Sequence, residues 1–455
     1  MECYLEPAGK LAVTECDVLV AGGGTAGVVA ALAAARQGAH TILVERKGYP
    51  GGAIVEAGTA LHSFYNLWKA FPGVEKRRVV RGVPAEIIDR LGALGGTSSH
   101  AEMLEGYDYD SVCTAIDTEL YKLVAFRMLR EAGVDVWVNT RLADAFGDGG
   151  RVEGVVTESH CGREAVRAHT FIDCTGYGDL CARAGADFSE PNDYPVANSM
   201  GLAGVEIDDY HRFLRSHDAV TEYSEGRRDG QEGQIVRLSG RTARLPEGFR
   251  REAEQIGMAT VTTTVHDDYL MFVKVNFKMP ASPTDREAAA EAELELRNRQ
   301  AHAVELFRRY VPGCEGAFIA RTSPSLNIRR GRLVLCDYDI TVSDVVGGRH
   351  FEDEIMVYGF HDSAPRLQVK DGGTYGVPYR ALRVAGKENL LACGMMITSD
   401  HEAHMSTRNT VCCMGQGQAA GTAAALCAER GCGTRDLPWE VLRKALKKGS
   451  VYFEE

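Results

Sequence analysis

The chain has 455 residues, more than one ordinary hydrophobic core accommodates, so two domains are expected. Hydrophobic residues make up 45% and charged residues 25%, an ordinary globular balance, and the formal net charge is −12. That acidity argues against nucleic acid or an anionic membrane as partner. Phosphate contacts need clustered Lys and Arg, and Lys76-Arg77-Arg78 and Arg329-Arg330 are too short to reverse the balance.

No apolar run reaches the roughly 20 residues of a membrane-spanning helix. The opening "MECYLEPAGKLAVTECDVLV" has no basic region followed by an apolar stretch, so no secretory leader is read and a cytoplasmic location is expected. The 13 cysteines are scattered without CxxC pairs. They read as buried thiols in a reducing compartment, not as a redox dithiol, a cluster or a zinc site, and no metal is expected.

In chain order, an apolar run ending at Ala21 meets Gly22-Gly23-Gly24-Thr25-Ala26-Gly27, and Val28 to Ala35 has helix-forming composition. This fits GxGxxG between a strand and a helix. Gly22 permits a tight turn, Gly24 lets backbone approach a pyrophosphate, and Gly27 lets the helix pack on the strand, with Thr25 and Ala26 at the helix start. A second strand, Thr41 to Val44, ends at Glu45, near the ~20-residue spacing at which a carboxylate takes ribose hydroxyls. An acid there disfavours the extra phosphate of NADP. Gly51-Gly52 then implies backbone passing close to a second flat group.

Residues 60–110 are irregular and aromatic-rich, read as a pocket lid or a subunit contact, which leaves a homo-oligomer open. "DTELYKLVAFRMLREAG" is an amphipathic helix, and Gly147 to Gly150 turns a hairpin between "RLADAF" and "RVEGVVTES". A further strand ends at Gly176-Tyr177-Gly178-Asp179. From about 190 the pattern becomes alternating strands with a charged helix, "DREAAAEAELELRNRQAHAVELFRRY". Near the end, "NLLACGMMITSD" is a strand entering a loop, and "CCMGQGQAAGTAAALCAERG" is a helix of small residues.

Together, GxGxxG, Glu45, Gly51-Gly52, "FIDCTGYGDLCARAGADF" and "NLLACGMMITSDHEAHMSTRNTVCCMGQGQAAGTAAAL" resemble the FAD-dependent oxidoreductases of glutathione-reductase-like fold, in the branch related to succinate- and fumarate-type flavoproteins. The resemblance spans the first 60 residues, about 110–187 and about 320–430. It implies an α/β architecture: a discontinuous Rossmann-like FAD-binding domain (1–190 and 371–455) with an inserted β-meander, plus an α+β substrate domain (191–370). It implies noncovalent FAD. Gly22, Gly24, Gly27, Thr25 and Ala26 would hold the pyrophosphate, Glu45 and Arg46 the adenosine ribose, and Leu142 the adenine. Thr175-Gly176 would close over that half, Gly394 would approach the pyrophosphate or ribityl chain, and His401 would belong to the cofactor's surroundings. A helix starting near Gly415-Gln416-Gly417 would aim its N–H groups at the flavin N1/O2 edge. His404 stands where relatives carry an apolar residue, and Met395 where they carry an arginine.

A flavin exchanges hydride through N5, so the protein must move a proton and orient the substrate. His404 is the first candidate for acid or base, with a hydrogen-bonded structural histidine as its competing reading, and Arg408 four residues on suits a carbonyl or carboxylate. His62 is a second proton-transfer candidate. The expected reaction passes hydride between a small organic molecule (alkene, carbonyl, alcohol or alicyclic) and the flavin. Lacking a second GxGxxG, the chain needs an external electron partner. Two alternatives stand beside it: a tRNA-modifying-type flavoprotein, and a flavin-binding protein without turnover.

Overall fold

The computed structural model describes residues 9–57, 60–61, 63–67, 72–99, 109–110, 113–259, 261–359 and 369–454. Its centre is a parallel sheet in which the first strand, Ala12–Ala21, lies between Thr41–Val44 and Gly162–Asp173. Asp135–Trp137 extends one side and Leu390–Ala392 pairs with the end of Gly162–Asp173 on the other. "DVLV" carries no alternation because Val18, Leu19 and Val20 are fully buried, as expected for a parallel strand covered on both faces. The meander Arg141–Gly147, Val152–Ser159 and Gly162–Asp173 is antiparallel, and its last strand doubles as a member of the parallel sheet.

The helix Thr25–Arg36 covers the sheet and is itself covered by the long helix Thr410–Arg430. Glycines set that contact. A Cβ at Gly417 would fall 2.3 Å from the Ala26 carbonyl, and one at Gly421 would fall 2.0 Å from that of Ala30. Four-residue spacing puts both on one helix face. Gly431, at φ +63°, closes the helix in the left-handed conformation.

A second sheet of eight strands is almost wholly antiparallel. It runs Phe318–Thr322, Val196–Ala203, Tyr269–Phe277, Val261–Thr263, Gln231–Gly240, Val220–Arg228 and Tyr109–Asp110, with Met258–Ala259 beside Tyr269–Phe277. Its core takes in Phe213, Phe249, Leu296 and Phe307 from helices Ile207–Ser216, Glu247–Gln255 and Arg286–Tyr310. The chain rejoins the first core earlier than the expected boundary at 371. Val334, Ile340, Ile355, Val357 and Val369 all pack into the first core. The reason is local: Glu354–Tyr358 forms a two-stranded ribbon with Tyr375–Pro378, buried on the Thr410–Arg430 side.

No helix among the described residues is long and apolar enough to cross a membrane.

Candidate functional site

The chain leaves the first strand toward Thr41–Val44 on one side, while Gly162–Asp173 lies on the other. A parallel sheet whose order reverses at a central strand opens a crevice at its carboxyl edge. A cleft lies there, enclosing about 1360 Å³ with its solvent mouth. Its lining follows the four strand ends: Ala21, Gly22 and Gly24; Glu45 to Lys47; Cys174 to Tyr177; and Cys393 to Met395.

The glycine turn is fixed by backbone contacts. Gly22 has φ +95°, and a Cβ there would lie 2.6 Å from the Cys174 carbonyl oxygen. One at Gly27 would lie 1.8 Å from the Gly22 carbonyl oxygen. Gly51 donates its N–H to the Gly23 carbonyl at 2.7 Å, and Gly52 has its own left-handed φ of +48° against Gly24. Gly24 differs. It sits at φ −79°, ψ −161°, open to any residue, and an added Cβ would meet nothing nearer than 3.9 Å. The protein itself has no use for the missing side chain, so the vacant volume belongs to whatever enters the cleft. Behind it the helix Thr25–Arg36 begins with no side-chain cap, so its first amides face the same space.

Glu45 is only 7% exposed, and burial raises its pKa despite two backbone partners. One carboxylate oxygen accepts from Gly23 N–H at 2.7 Å and the other from Lys47 N–H at 2.8 Å. Thr140, Arg141 and Leu142 complete this wall, and Arg46 lies over the Tyr177 ring at 5.5 Å.

Asp173, absent from the sequence expectations, orders the loop that holds Thr175 and Gly176. Its buried carboxylate accepts from Thr175 N–H, Thr175 Oγ1 and Cys181 N–H at 2.7–2.9 Å. A charged residue ending the apolar run "FID" was the signal available. Lys47 and Glu56 also line the cleft as a 2.5 Å ion pair, and Lys47 reaches Ser325 Oγ at 3.3 Å. Ser325 to Ile328 bring the second sheet's unit to the cleft, steadied where Ser323 Oγ donates to the Glu56 carbonyl.

The wall from the chain's far end differs from expectation. The helix begins at Thr410, so Gly415, Gln416 and Gly417 lie within it and none faces the cleft. Gly415 meets Met356, Gly417 meets Ala26, and fully buried Gln416 is a brace. Its Oε1 accepts from Gly394 N–H at 2.9 Å while its Nε2 donates to the Thr407 carbonyl at 2.9 Å. The residues at the cleft are Arg408, Thr410 and Cys413. Asn409 precedes the helix but does not cap it, donating instead to the Met405 carbonyl. The Arg408 guanidinium stacks 5.9 Å from the Tyr194 ring, its one described hydrogen bond goes to Met405 Sδ at 3.6 Å, and its buried Nε has no partner.

His404 does not face the cleft. It is fully buried, donating from Nε2 to the Arg329 carbonyl at 2.7 Å, with Nδ1 3.3 Å from Ser399 Oγ. Burial first, then the neighbouring Arg408, hold its pKa well below the usual imidazole range. A neutral imidazole with both nitrogens engaged is a structural group, and the acid–base role expected for it is withdrawn. His401 is half exposed, paired with Asp193 at 2.7 Å, and is absent from the lining. His62 lies outside the described residues. Among those described, no histidine lines the cleft, and no cluster of three His, Cys, Asp or Glu side chains is disposed to hold a metal.

Glycine-lined backbone, two uncapped helix starts and a buried carboxylate at the switch point define a dinucleotide-binding fold of the flavoprotein kind. The chain belongs to the FAD dependent oxidoreductase family, whose model matches residues 17–446, and FAD is its cofactor. It is 35% identical over 97 residues to a 3-oxosteroid 1-dehydrogenase of Mycobacterium tuberculosis, covering 21% of this chain and 16% of that protein. With the Mycolicibacterium smegmatis protein of the same name it shares 37% over 93 residues, 20% and 15% of the respective lengths. A geranylgeranyl bacteriochlorophyll reductase-like structure from Thermoplasma acidophilum aligns with a TM-score of 0.48 at 14% identity, over 96% of this chain and 83% of the other. The flavin-dependent brominase Bmp2 aligns at 0.46 and 12%, over 96% and 83%.

Proposed function

We propose that this chain is a dehydrogenase acting on a small organic substrate that carries an oxo or carboxylate group, with Arg408 as the residue that receives that group. One observation carries the reading: a cleft-lining guanidinium whose buried Nε has no partner. A buried N–H without an acceptor is costly, and the guanidinium that carries it opens on the cleft, so an anion or developing oxyanion is its natural complement. FAD, when bound, supplies the hydride acceptor at N5. The chain's own work is to hold the cofactor through Gly24, Glu45 and the amides at Thr25 and Thr410, and to orient the substrate. Ser325 to Ile328 exclude water along the mouth. Arg408 would stabilise the negative charge that gathers on the substrate's oxygen when the neighbouring C–H gives its proton to a base, ahead of the hydride loss that discharges it. The stretches shared with 3-oxosteroid 1-dehydrogenases favour the oxidative direction. The electron partner is external.

The test is anaerobic addition of cyclic ketones to pure, flavin-containing protein. Bleaching of the flavin bands supports oxidation, whereas reoxidation of dithionite-reduced protein by an enone reverses the direction. Arg408→Gln is expected to keep its flavin and bleach roughly 10²–10³-fold more slowly, the loss typical of one oxyanion partner. Bleaching at the wild-type rate would remove Arg408 from the reaction. Loss of flavin would assign it to the cofactor instead.

A further inference from the structure

Three cysteines line the cleft, and nothing in cofactor binding or hydride transfer calls for a thiol. Cys174, Cys393 and Cys413 come from three separate elements: the loop after Gly162–Asp173, the loop after Leu390–Ala392, and the first turn of Thr410–Arg430. Two of them are neighbours by register. Ala392 pairs with Asp173 in parallel, and Cys393 N–H donates to the Asp173 carbonyl at 2.9 Å, so Cys174 and Cys393 follow side by side at adjacent strand ends. Strands lie about 4.8 Å apart, within the Cα separation a disulfide spans. Cys413 directs its sulfur elsewhere, to the carbonyls of Thr407 and Arg408.

We propose that Cys174 and Cys393 are a redox modification site that the cofactor guards, closing to an intrachain disulfide when the cleft is empty and a peroxide reaches it. The balance is simple. Two thiols and one hydrogen peroxide give one disulfide and two waters; both sulfurs are oxidised and the peroxide O–O bond is reduced. Both residues are buried against the protein but open on the cleft, so the cleft is the oxidant's approach. Burial raises the Cys393 pKa well above its ordinary value, which keeps it a thiol and slow to react until water enters.

Closure would also act on the cofactor site. Cys174 O and Thr175 Cα are the atoms that back the Gly22 turn, and Cys174 Cβ abuts the space beside Gly27. Bringing the sulfurs to about 2.05 Å shifts this backing, and with it the cradle that receives the pyrophosphate. The spacing of these cysteines, more than 200 residues apart in the chain, hides the pair from any sequence motif.

The proposal rests on FAD occupying this cleft, and the experiment separates the two claims. Full-length protein, FAD-loaded and FAD-depleted, is treated with hydrogen peroxide and then alkylated. Non-reducing peptide mapping follows, with flavin uptake measured afterwards. The expected result is a Cys174–Cys393 cross-link at least tenfold more abundant in the depleted protein. It should be accompanied by loss of FAD uptake that a dithiol reductant restores, and Cys393→Ser should retain uptake after peroxide. No cross-link, one formed equally with FAD bound, or one joining either residue to Cys413 would overturn the proposal while FAD binding stands. A chain that takes up no FAD before treatment would overturn the cofactor reading itself.

Discussion

The wall of the cleft around Glu45 and the wall around Arg408 are built on opposite principles. Around Glu45 the shape is made by backbone, and the contacts around it are already satisfied: Gly22 against Cys174, Gly27 against Gly22, the carboxylate against two amides. Around Arg408 the shape is made by side chains, and a side-chain donor is left over, the orphan Nε. The first wall is preformed for a ligand of fixed geometry. The second has bonding capacity to give, as expected where charge changes during a reaction.

The difference can be broken by substitution. Gly27→Ala should have the largest effect, because no relaxation easily absorbs a Cβ 1.8 Å from a carbonyl oxygen. Overpacking of this kind costs on the order of 3 kcal/mol, and flavin should be absent from the purified variant. A variant with normal flavin content and thermal melting would refute the account of the turn.

Glu45→Gln should come next. It keeps the shape but sets an NH2 donor against the Gly23 or Lys47 N–H, so FAD affinity should fall roughly 10–100-fold, read by titration of flavin fluorescence, with the unliganded fold weakened by about 1–3 kcal/mol. Unchanged affinity would detach Glu45 from the ligand.

The smallest effect belongs to His404→Asn. Loss of one buried hydrogen-bonded group should cost about 1–2 kcal/mol in urea unfolding at pH 7.5. The folded pKa is lowered, so the contribution of the neutral imidazole is full above the unfolded value of about 6.5 and declines as pH falls below it. The gap between variant and wild type should therefore narrow at pH 5.5. Turnover per bound flavin should keep its pH profile, and a change of profile would return His404 to the chemistry.

How much of this was legible follows the same division. GxGxxG, Glu45 and Gly51-Gly52 could be read because close backbone approach demands glycine, and glycine is visible in a sequence. Thr175-Gly176, Leu142 and Gly394 reached the cleft through the family resemblance, and the structure places them on its lining. The Arg408 wall resisted reading. Apart from Gln416 and Gln418 the run "TVCCMGQGQAAG" is small or apolar, so its composition hides where the helix starts. The start lay in Asn409-Thr410, five residues before Gly415. His404 misled because its partners, Ser399 and the Arg329 carbonyl, come from different stretches, and orientation is a tertiary property. The boundary at 371 failed for a similar reason. Glu354–Tyr358 has strand composition that suits either core, and only its pairing with Tyr375–Pro378 assigns it.

Gly24→Ala tests the central claim most directly, since its added methyl touches no protein atom within 3.9 Å yet stands in the space assigned to the cofactor. Thermal melting without FAD and flavin titration are measured side by side on wild type and variant. The account requires the same melting temperature and at least tenfold weaker FAD binding; full affinity in the variant would mean that FAD does not lie against the glycine turn.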